Sequence, residues 1–272
     1  MKSTIAFIGA GNMATAIIGG LLAEGIAPEL LIASDPNTDA LAHLSDEYGI
    51  RTYENNDEAA RQADVIVLAV KPQIMQAVLE PLAAVITHNP LIISIAAGIE
   101  SASLSHWLGE QHAIVRCMPN TPAMVREGAS GLFANANTSD SQRALAEHIL
   151  SAVGKVAWVE DEHQMHAITA ISGSAPAYFF LLMEAMIESG MKQGLSEDVA
   201  KDLALQTALG AASLASNSDI TPSELRRRVT SPNGTTEAAL NTLTECDFKN
   251  TVHLAMKACA ERSEALGKTL KD

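Results

Sequence analysis

The chain has 272 residues, of which 47% are hydrophobic and 18% are charged, and its formal net charge at pH 7 is −14. This length suggests one large domain or two of modest size, and the hydrophobic fraction excludes a disordered chain. The negative charge disfavours nucleic acid and anionic membranes as partners, because the overall field repels both. No apolar run reaches the roughly 18–20 residues of a membrane span, and the apolar stretch between Lys2 and Gly9 is too short for an export signal.

The cysteines and histidines indicate neither a disulfide framework nor a metal site. Cys117, Cys246 and Cys259 are few and unevenly spaced, which favours reduced thiols and a cytoplasmic protein. His163 and His166 come closest to a metal motif, but no third ligand accompanies them. We therefore expect a helix surface at these histidines and no bound metal.

Short apolar runs alternate with amphipathic helical stretches through the first 160 residues. The predicted strands and the first two helices are, in chain order, Ile5–Ile8, Met13–Ala23 (helix), Leu30–Ala33, Asp39–Tyr48 (helix), Val65–Ala69, Leu91–Ile95 and Ala113–Cys117. This alternation predicts an α/β fold, a Rossmann-type, doubly wound parallel sheet with helices on both faces. In such a sheet the ligand lies beyond the carboxyl ends of the strands.

The apolar period becomes helical after about residue 160. The predicted helices are His163–Ile171, Ala175–Lys192, Glu197–Ala215, Glu237–Leu243 and Phe248–Leu266. We therefore predict a dinucleotide-binding domain over residues 1–160 and an all-α domain over residues 161–272.

A glycine-rich turn follows the first strand. Residues Gly9–Ala14 read G-x-G-x-x-A, between an apolar strand and a helix. In this pattern Gly9 allows the tight turn, Gly11 lets the backbone approach a pyrophosphate, and Ala14 lets the helix pack against the strand. The helix N-terminus adds free N–H groups and partial positive charge. The sequence therefore predicts dinucleotide binding, against the alternative of a turn with only a backbone role.

The residues after the second strand bear on the choice between NAD and NADP. Asp35, about 24 residues after Gly11, could accept bonds from the ribose hydroxyls of NAD and would repel a 2′-phosphate. If Asp35 instead turns outward, Ser34 and Asn37 could bind that phosphate, and a third alternative is that Asp35 caps the next helix. The sequence therefore weakly favours NAD as the cofactor and does not exclude NADP.

Six separated segments together resemble the pyrroline-5-carboxylate reductase family, and the likeness runs from Ile5 to about Leu266. The segments are Gly9–Ala14, Ala69–Pro72, Ser94–Gly98, Met118–Pro122, Ser172–Tyr178 and Ser231–Thr236. The resemblance implies NADPH- or NADH-dependent reduction of 1-pyrroline-5-carboxylate to L-proline. It also implies a helical domain that forms dimers, and five such dimers in a ring.

The resemblance also implies roles for individual residues. The pyrophosphate would be held by Ile8, Gly9, Ala10, Gly11, Asn12 and Met13. Ser34 would lie near the adenosine ribose and Asn56 near the adenine. The path to the nicotinamide would be lined by Ala69, Val70, Lys71, Pro72 and Ala97. The substrate carboxylate would be bound through backbone N–H groups of the turn that contains Ser231, Asn233, Gly234, Thr235 and Thr236, with Thr236 near the ring nitrogen.

Two positions depart from the family pattern. Asn233 stands where the family usually has the first of two glycines, and asparagine tolerates positive φ better than most residues. Ala175 stands where glycine is frequent, which adds one methyl group near the expected pocket.

The chemistry of imine reduction is compatible with this residue set. A protonated imine is already electrophilic, so no strong general base is needed, and the hydroxyls of Ser174, Thr235 and Thr236 are candidate partners of the imine nitrogen, with helix capping as their alternative role. Arg226, Arg227 and Arg228 are interpreted as a solvated helix end rather than a substrate clamp.

Two rival functions make different demands on the sequence. A β-hydroxyacid dehydrogenase would need a proton-accepting lysine on the first long helix of the second domain, and Met165–Met191 contains none. A non-catalytic nucleotide sensor should have lost the turn Ser231–Thr236, which is complete.

Overall fold

The structure, a computed structural model, describes residues 2–269. Eight strands form one sheet in the order β3-β2-β1-β4-β5-β6-β7-β8. The strands are β1 (Ile5–Ile8), β2 (Leu31–Ser34), β3 (Arg51–Tyr53), β4 (Val65–Leu68), β5 (Leu91–Ser94), β6 (Ile114–Met118), β7 (Gly128–Ala134) and β8 (Gly154–Trp158). The five predicted strands are confirmed to within one residue at each end.

Burial on both faces explains why the central strands are continuously apolar. Ile5 and Phe7 of β1 point into one core, whereas Ala6 and Ile8 point into a second core on the other face. Such alternation is what the pleat of a strand requires, and helices cover both faces. The predicted Rossmann-type α/β fold is therefore confirmed.

One pairing departs from the predicted all-parallel sheet, because β6 and β7 run antiparallel. The chain between them is only nine residues long and includes a short helical turn at Thr121–Val125, followed by Arg126 in the left-handed region at φ 59°. A parallel pair needs a crossover of about a dozen residues or more, so this connection can only reverse the chain. Strand β8 then pairs parallel with β7 at the edge.

Twelve α-helices occur among the described residues. They are α1 (Asn12–Ala23), α2 (Thr38–Tyr48), α3 (Asn56–Ala60), α4 (Met75–Ala83), α5 (Ser101–Leu108), α6 (Asp140–Ser151), α7 (Gln164–Ile168), α8 (Ala175–Lys192), α9 (Glu197–Ser216), α10 (Pro222–Arg228), α11 (Thr235–Glu245) and α12 (Phe248–Thr269). A wider π-helical turn, Thr169–Gly173, follows α7.

Packing divides the chain into two compact units. The first contains residues 1–174 and 258–272, and the second contains residues 175–257. The sheet ends near residue 160, where the sequence predicts a domain boundary, but α7 and the π-helical turn pack on β7 and so belong with the sheet. The division at residue 160 remains a prediction about the folding units.

A buried polar cluster holds the end of the sheet region together. Arg116 of β6 is 5% exposed, and its guanidinium donates to the Glu162 carboxylate at 2.7 Å. The same carboxylate accepts from the backbone N–H and the hydroxyl of Ser101. Next to it, the buried His166 ring bonds Ser263 of α12 at 3.0 Å, and burial together with the charge of Arg116 lowers the pKa of this histidine.

One helical run among the described residues is long and apolar enough to cross a bilayer by length and composition. It covers Gln164–Lys192, has a hydropathy of 1.4, and only 11% of its apolar window is buried. The search for uninterrupted apolar runs in the sequence did not predict this helix as a candidate membrane span. One such helix is weak evidence for a membrane span, because an apolar face that contacts another protein chain has the same composition.

Candidate active site

The predicted cofactor residues meet at the carboxyl edge of the sheet. The Gly9 N–H donates to the Ser34 carbonyl at 2.8 Å, and the Ala69 N–H donates to the Ile8 carbonyl at 2.8 Å. These bonds bring the ends of β1, β2 and β4 together. Strands β1 and β4 are parallel neighbours, and the order in which strands are added to the sheet reverses between them, which marks this edge as the ligand crevice of an open α/β sheet.

The two glycines of the turn serve different purposes. Gly9 has φ 106°, and a Cβ there would lie 2.7 Å from the Ala69 carbonyl oxygen, so the fold itself requires glycine. Gly11 has φ −77°, which any residue adopts, and a Cβ there would meet no atom within 4 Å. The protein alone therefore gives no reason for glycine at position 11, whereas a pyrophosphate lying against this backbone does.

The N-terminus of α1 is open to an anion. Gly11 is its N-cap residue and provides no side-chain cap, and the first turn contains no acidic residue. The first N–H groups of a helix have no internal acceptor and carry partial positive charge. A dinucleotide pyrophosphate therefore fits this end of the helix without a cationic side chain.

Ser34 and Asn56 form a direct pair beside the glycine turn. The Ser34 side chain is fully buried, and its hydroxyl donates to the Asn56 Oδ1 atom at 2.8 Å. This bond orients the Asn56 amide, whose NH2 group then remains available as a donor at the same edge. The structure thus brings together the two residues expected near the adenosine.

Asp35 does not cap helix α2, so that alternative, which the sequence leaves open, is wrong. Asn37 is the cap, and its side chain accepts from the N–H groups of Asp39 and Ala40. The Asp35 carboxylate instead turns towards the glycine turn and accepts from the Ala10 N–H at 2.9 Å.

The expected nicotinamide side is built from two further strand ends. Ala69–Pro72 follows β4 and Ala97 follows β5, and Ala97 is exposed while its neighbours Ala96 and Gly98 are buried. Helix α12 reaches the second of these loops, since a Cβ at Gly267 would lie 2.7 Å from the Gly98 carbonyl oxygen. The C-terminal part of α12 therefore packs against this loop.

Ser174 lies directly after the π-helical turn, which the sequence did not predict. Its N–H donates to the Thr169 carbonyl at 2.8 Å, in the wider spacing of a π-helix. Such turns are frequent at functional sites. The turn packs so closely that a Cβ at Gly173 would lie 2.3 Å from the methyl group of Met118.

Asn120 is a positioning residue whose role the sequence did not reveal. Its amide NH2 group donates to the Ser172 carbonyl at 3.1 Å, and its Oδ1 atom accepts from the Ala129 N–H at 2.9 Å. The side chain is 8% exposed, so both bonds are shielded from water. Asn120 thereby ties the residues before Ser174 to the start of β7.

The predicted substrate turn lies in the second unit, ahead of α11. Asn233 has φ 58°, so the asparagine takes the left-handed conformation expected of it. The N–H of Asn233 already donates to Glu237 at 2.7 Å, and that of Gly234 donates to the Ser231 carbonyl at 3.0 Å. The backbone donors that remain are those of the first helical turn, starting at Thr235.

The arginine run near this turn is engaged elsewhere. Arg227 and Arg228 both pair with Glu224 on α10, and both arginine side chains are largely exposed. This arrangement agrees with a solvated helix end.

Cys117 is not a candidate nucleophile, because complete burial raises the pKa of its thiol to about 12.

A dinucleotide-binding sheet joined to a helical unit defines a class, the nicotinamide-dependent oxidoreductases with a helical second domain. A family model described as pyrroline-5-carboxylate reductase dimerisation matches residues 162–266. A model described as coenzyme F420-dependent NADP oxidoreductase matches residues 4–98.

Full-length relatives define the family within that class. A pyrroline-5-carboxylate reductase of Pseudomonas aeruginosa is 54% identical over 98% of this chain and 97% of its own length. The Haemophilus influenzae enzyme of the same name is 49% identical over 96% and 97%. This chain belongs to the pyrroline-5-carboxylate reductase family.

Solved structures of the same family have the same fold. The Coxiella burnetii pyrroline-5-carboxylate reductase superposes with a TM-score of 0.95 at 42% identity, covering 98% of this chain and 99% of that chain. The Plasmodium falciparum enzyme, solved with NADP bound, has a TM-score of 0.86 at 33% identity, covering 98% and 99%. The cofactor of this chain is therefore a nicotinamide dinucleotide.

Proposed function

We propose that this chain catalyses the NADPH- or NADH-dependent reduction of 1-pyrroline-5-carboxylate to L-proline. The observation that carries the proposal is identity of 54% over essentially the whole chain, which includes both the glycine turn and Ser231–Thr236. A non-catalytic nucleotide sensor would not need the second of these segments.

Each cofactor contact is assigned to a residue at the carboxyl edge of the sheet. Residues Ile8–Met13 hold the pyrophosphate, where Gly11 leaves open space and α1 presents free N–H groups. Ser34 and Asn56 lie at the adenosine, with Asp35 beside the ribose. Ala69–Pro72 and Ala97 line the nicotinamide side.

The chain's own residues bind and orient the imine. When bound, the reduced nicotinamide supplies the hydride to the imine carbon. The N–H groups of Thr235 and Thr236 at the start of α11 bind the substrate carboxylate, which suits a protein whose net charge is −14. The hydroxyl of Thr236 bonds the imine nitrogen, and that of Ser174 is the second candidate for this role.

A β-hydroxyacid dehydrogenase is the second candidate function, and the residue set disfavours it. Such an enzyme needs a proton acceptor for its alcohol substrate, typically a lysine on the first long helix after the sheet. The segment from Met165 to Met191 contains neither lysine nor arginine, and Lys192 comes only at the end of α8.

Oxidation of NADPH and of NADH, measured separately with purified protein, tests the reaction. We expect absorbance loss at 340 nm only when 1-pyrroline-5-carboxylate is added, with proline as the product. Oxidation without the imine, or none with it for either nucleotide, would contradict the proposed reaction. Addition of β-hydroxyacids with the oxidised cofactor tests the rival function in the same assay.

The second unit is proposed to form a homodimer, and five dimers are proposed to form a ring. Large apolar side chains are exposed along α8 and α9, among them Phe179, Phe180, Leu203, Leu209 and Leu214. Monomeric proteins rarely expose large apolar patches, and several exposed large apolar side chains on two neighbouring helices favour an interface. A second copy of this chain would also cover the apolar helix that has the composition of a membrane span.

We further propose a cytoplasmic location, in keeping with three unpaired cysteines.

Light scattering at micromolar concentration tests the dimer. We expect a mass of at least two chains for the parent protein. Leu209→Glu places a charge on a side chain that is 65% exposed, and should shift the mass towards one chain. Leu209→Met keeps the apolar surface and should assemble like the parent. A monomeric parent would refute the dimer.

A further inference from the structure

We propose that the Asp35 carboxylate makes this chain bind NADH more tightly than NADPH. The inference rests on the proposed function only in placing a nicotinamide dinucleotide at the glycine turn. It concerns a residue that contacts the adenosine end of the cofactor rather than the reacting atoms.

The carboxylate of Asp35 is fixed over the glycine turn by two backbone donors. Its Oδ2 atom accepts from the Ala10 N–H at 2.9 Å, and its Oδ1 atom accepts from the Asn37 N–H at 2.8 Å. The Asp35 N–H in turn donates to the carbonyl of Tyr53 on β3 at 3.3 Å. The side chain therefore points towards the cofactor edge and does not turn outward.

In this position the Asp35 carboxylate would meet the adenosine ribose of a dinucleotide bound at the glycine turn. Each carboxylate oxygen has a second lone pair left after its backbone bond, so it can accept a bond from a ribose hydroxyl. NADPH carries a phosphate of nearly two negative charges at the 2′ position, next to the same carboxylate. The like charges repel most strongly near the low-dielectric protein surface.

The segment from Ser34 to Asn56 offers little positive charge to offset this repulsion, and an arginine of another segment, Arg126, lines the groove beside Ala10. Between Ser34 and Asn56 the only arginine or lysine is Arg51. It pairs in register with Ile32, two residues before the end of β2, and its guanidinium bonds Gln62 at 2.7 Å. Arg51 therefore lies towards the amino ends of these parallel strands, away from the crevice at their carboxyl ends.

One of the two alternative phosphate donors is already committed, since the Ser34 hydroxyl donates to the Asn56 Oδ1 atom. The Asn37 side chain caps α2 through its Oδ1 atom, which leaves its NH2 group as a donor. A 2′-phosphate would find the Asn56 NH2 group as a donor, but it would find the Asp35 carboxylate at the same edge. A 2′-hydroxyl of NADH can use both groups, since it donates to one and accepts from the other.

Direct titration of NADH and NADPH, followed by calorimetry, tests the proposal without relying on turnover. We expect the parent protein to bind NADH more tightly. Asp35→Asn keeps the shape and the Oδ1 acceptor but removes the charge, so the Kd for NADPH should fall roughly tenfold relative to that for NADH. The same change in the ratio should appear in kcat/KM. Higher salt should narrow the preference of the parent more than that of the variant.

Asp46→Asn is the matched control, because Asp46 is an exposed acid on α2 and the change in net charge is the same. It should leave the NADPH to NADH ratio of the parent unchanged. Asp35→Ser replaces Asp35→Asn if the latter does not fold. Tighter NADPH binding by the parent, or a ratio that Asp35→Asn leaves unchanged, would overturn the proposal. If neither nucleotide binds the parent, the cofactor site itself is wrong, whereas binding without imine reduction refutes only the reaction.

Discussion

Gly11→Val is expected to raise the Kd for NADH and NADPH about a hundredfold or more while the thermal midpoint of unfolding stays within a few degrees of the parent's. The backbone at Gly11 has φ −77°, and a Cβ there meets no protein atom within 4 Å, so the fold accommodates a side chain. The isopropyl group would instead fill the space that the pyrophosphate needs, since this glycine lets the backbone approach it. Nucleotide titration and thermal unfolding measure the two effects separately.

Gly9→Val supplies the contrast within the same turn. Gly9 has φ 106°, and its added Cβ would clash with the Ala69 backbone, so this variant should lose stability as well as nucleotide binding. If Gly11→Val binds either nucleotide as tightly as the parent, the pyrophosphate does not lie against Gly11 and the site must be placed elsewhere.

Thr236→Val is expected to lower kcat for 1-pyrroline-5-carboxylate roughly ten- to a hundredfold, with no change in the Kd of the nucleotide. The substitution keeps the shape of the side chain and removes the hydroxyl that we assign to the imine nitrogen. Loss of one such bond costs about 1–3 kcal/mol of transition-state stabilisation. Helix capping is a weaker explanation for this hydroxyl, because Gly234 is the N-cap residue of α11 and no side chain caps that end.

Thr235→Val is the matched control for the hydroxyl. It makes the same chemical change one residue earlier on the same helical turn and leaves both backbone N–H groups in place. We expect a smaller loss of kcat than for Thr236→Val. Full kcat and KM in Thr236→Val would withdraw the assigned role, and equal losses in both variants would point to a general weakening of the turn.

The strands that were predicted from the sequence are those buried on both faces of the sheet. Val65–Leu68 is apolar at every position and Leu91–Ser94 at every position but the last, because helices cover both faces of the sheet there. Strands β3, β7 and β8 were not predicted. Gly128–Ala134 contains glycine at two positions, and Gly154–Trp158 alternates between exposed and half-buried residues at the sheet edge, so neither forms an apolar run.

The π-helical turn shows a second limit of sequence patterns. The apolar period predicts one helix over His163–Ile171, and the structure inserts a wider turn at its end. That turn depends on Asn120, which is 52 residues away from its partner Ser172 in the chain. No local propensity contains information about such a bond.

The sequence by itself determined the family, the Rossmann-type sheet, the helical region and the position of the glycine turn. Each of these depends on residues close together in the chain, whose period and turn chemistry act locally. Only the tertiary structure decided that Asp35 faces Ala10, that Ser34 bonds Asn56, and that Gly11 opens onto empty space. The physical reason is that these arrangements join segments more than 20 residues apart, so packing of the strands sets the direction of each side chain.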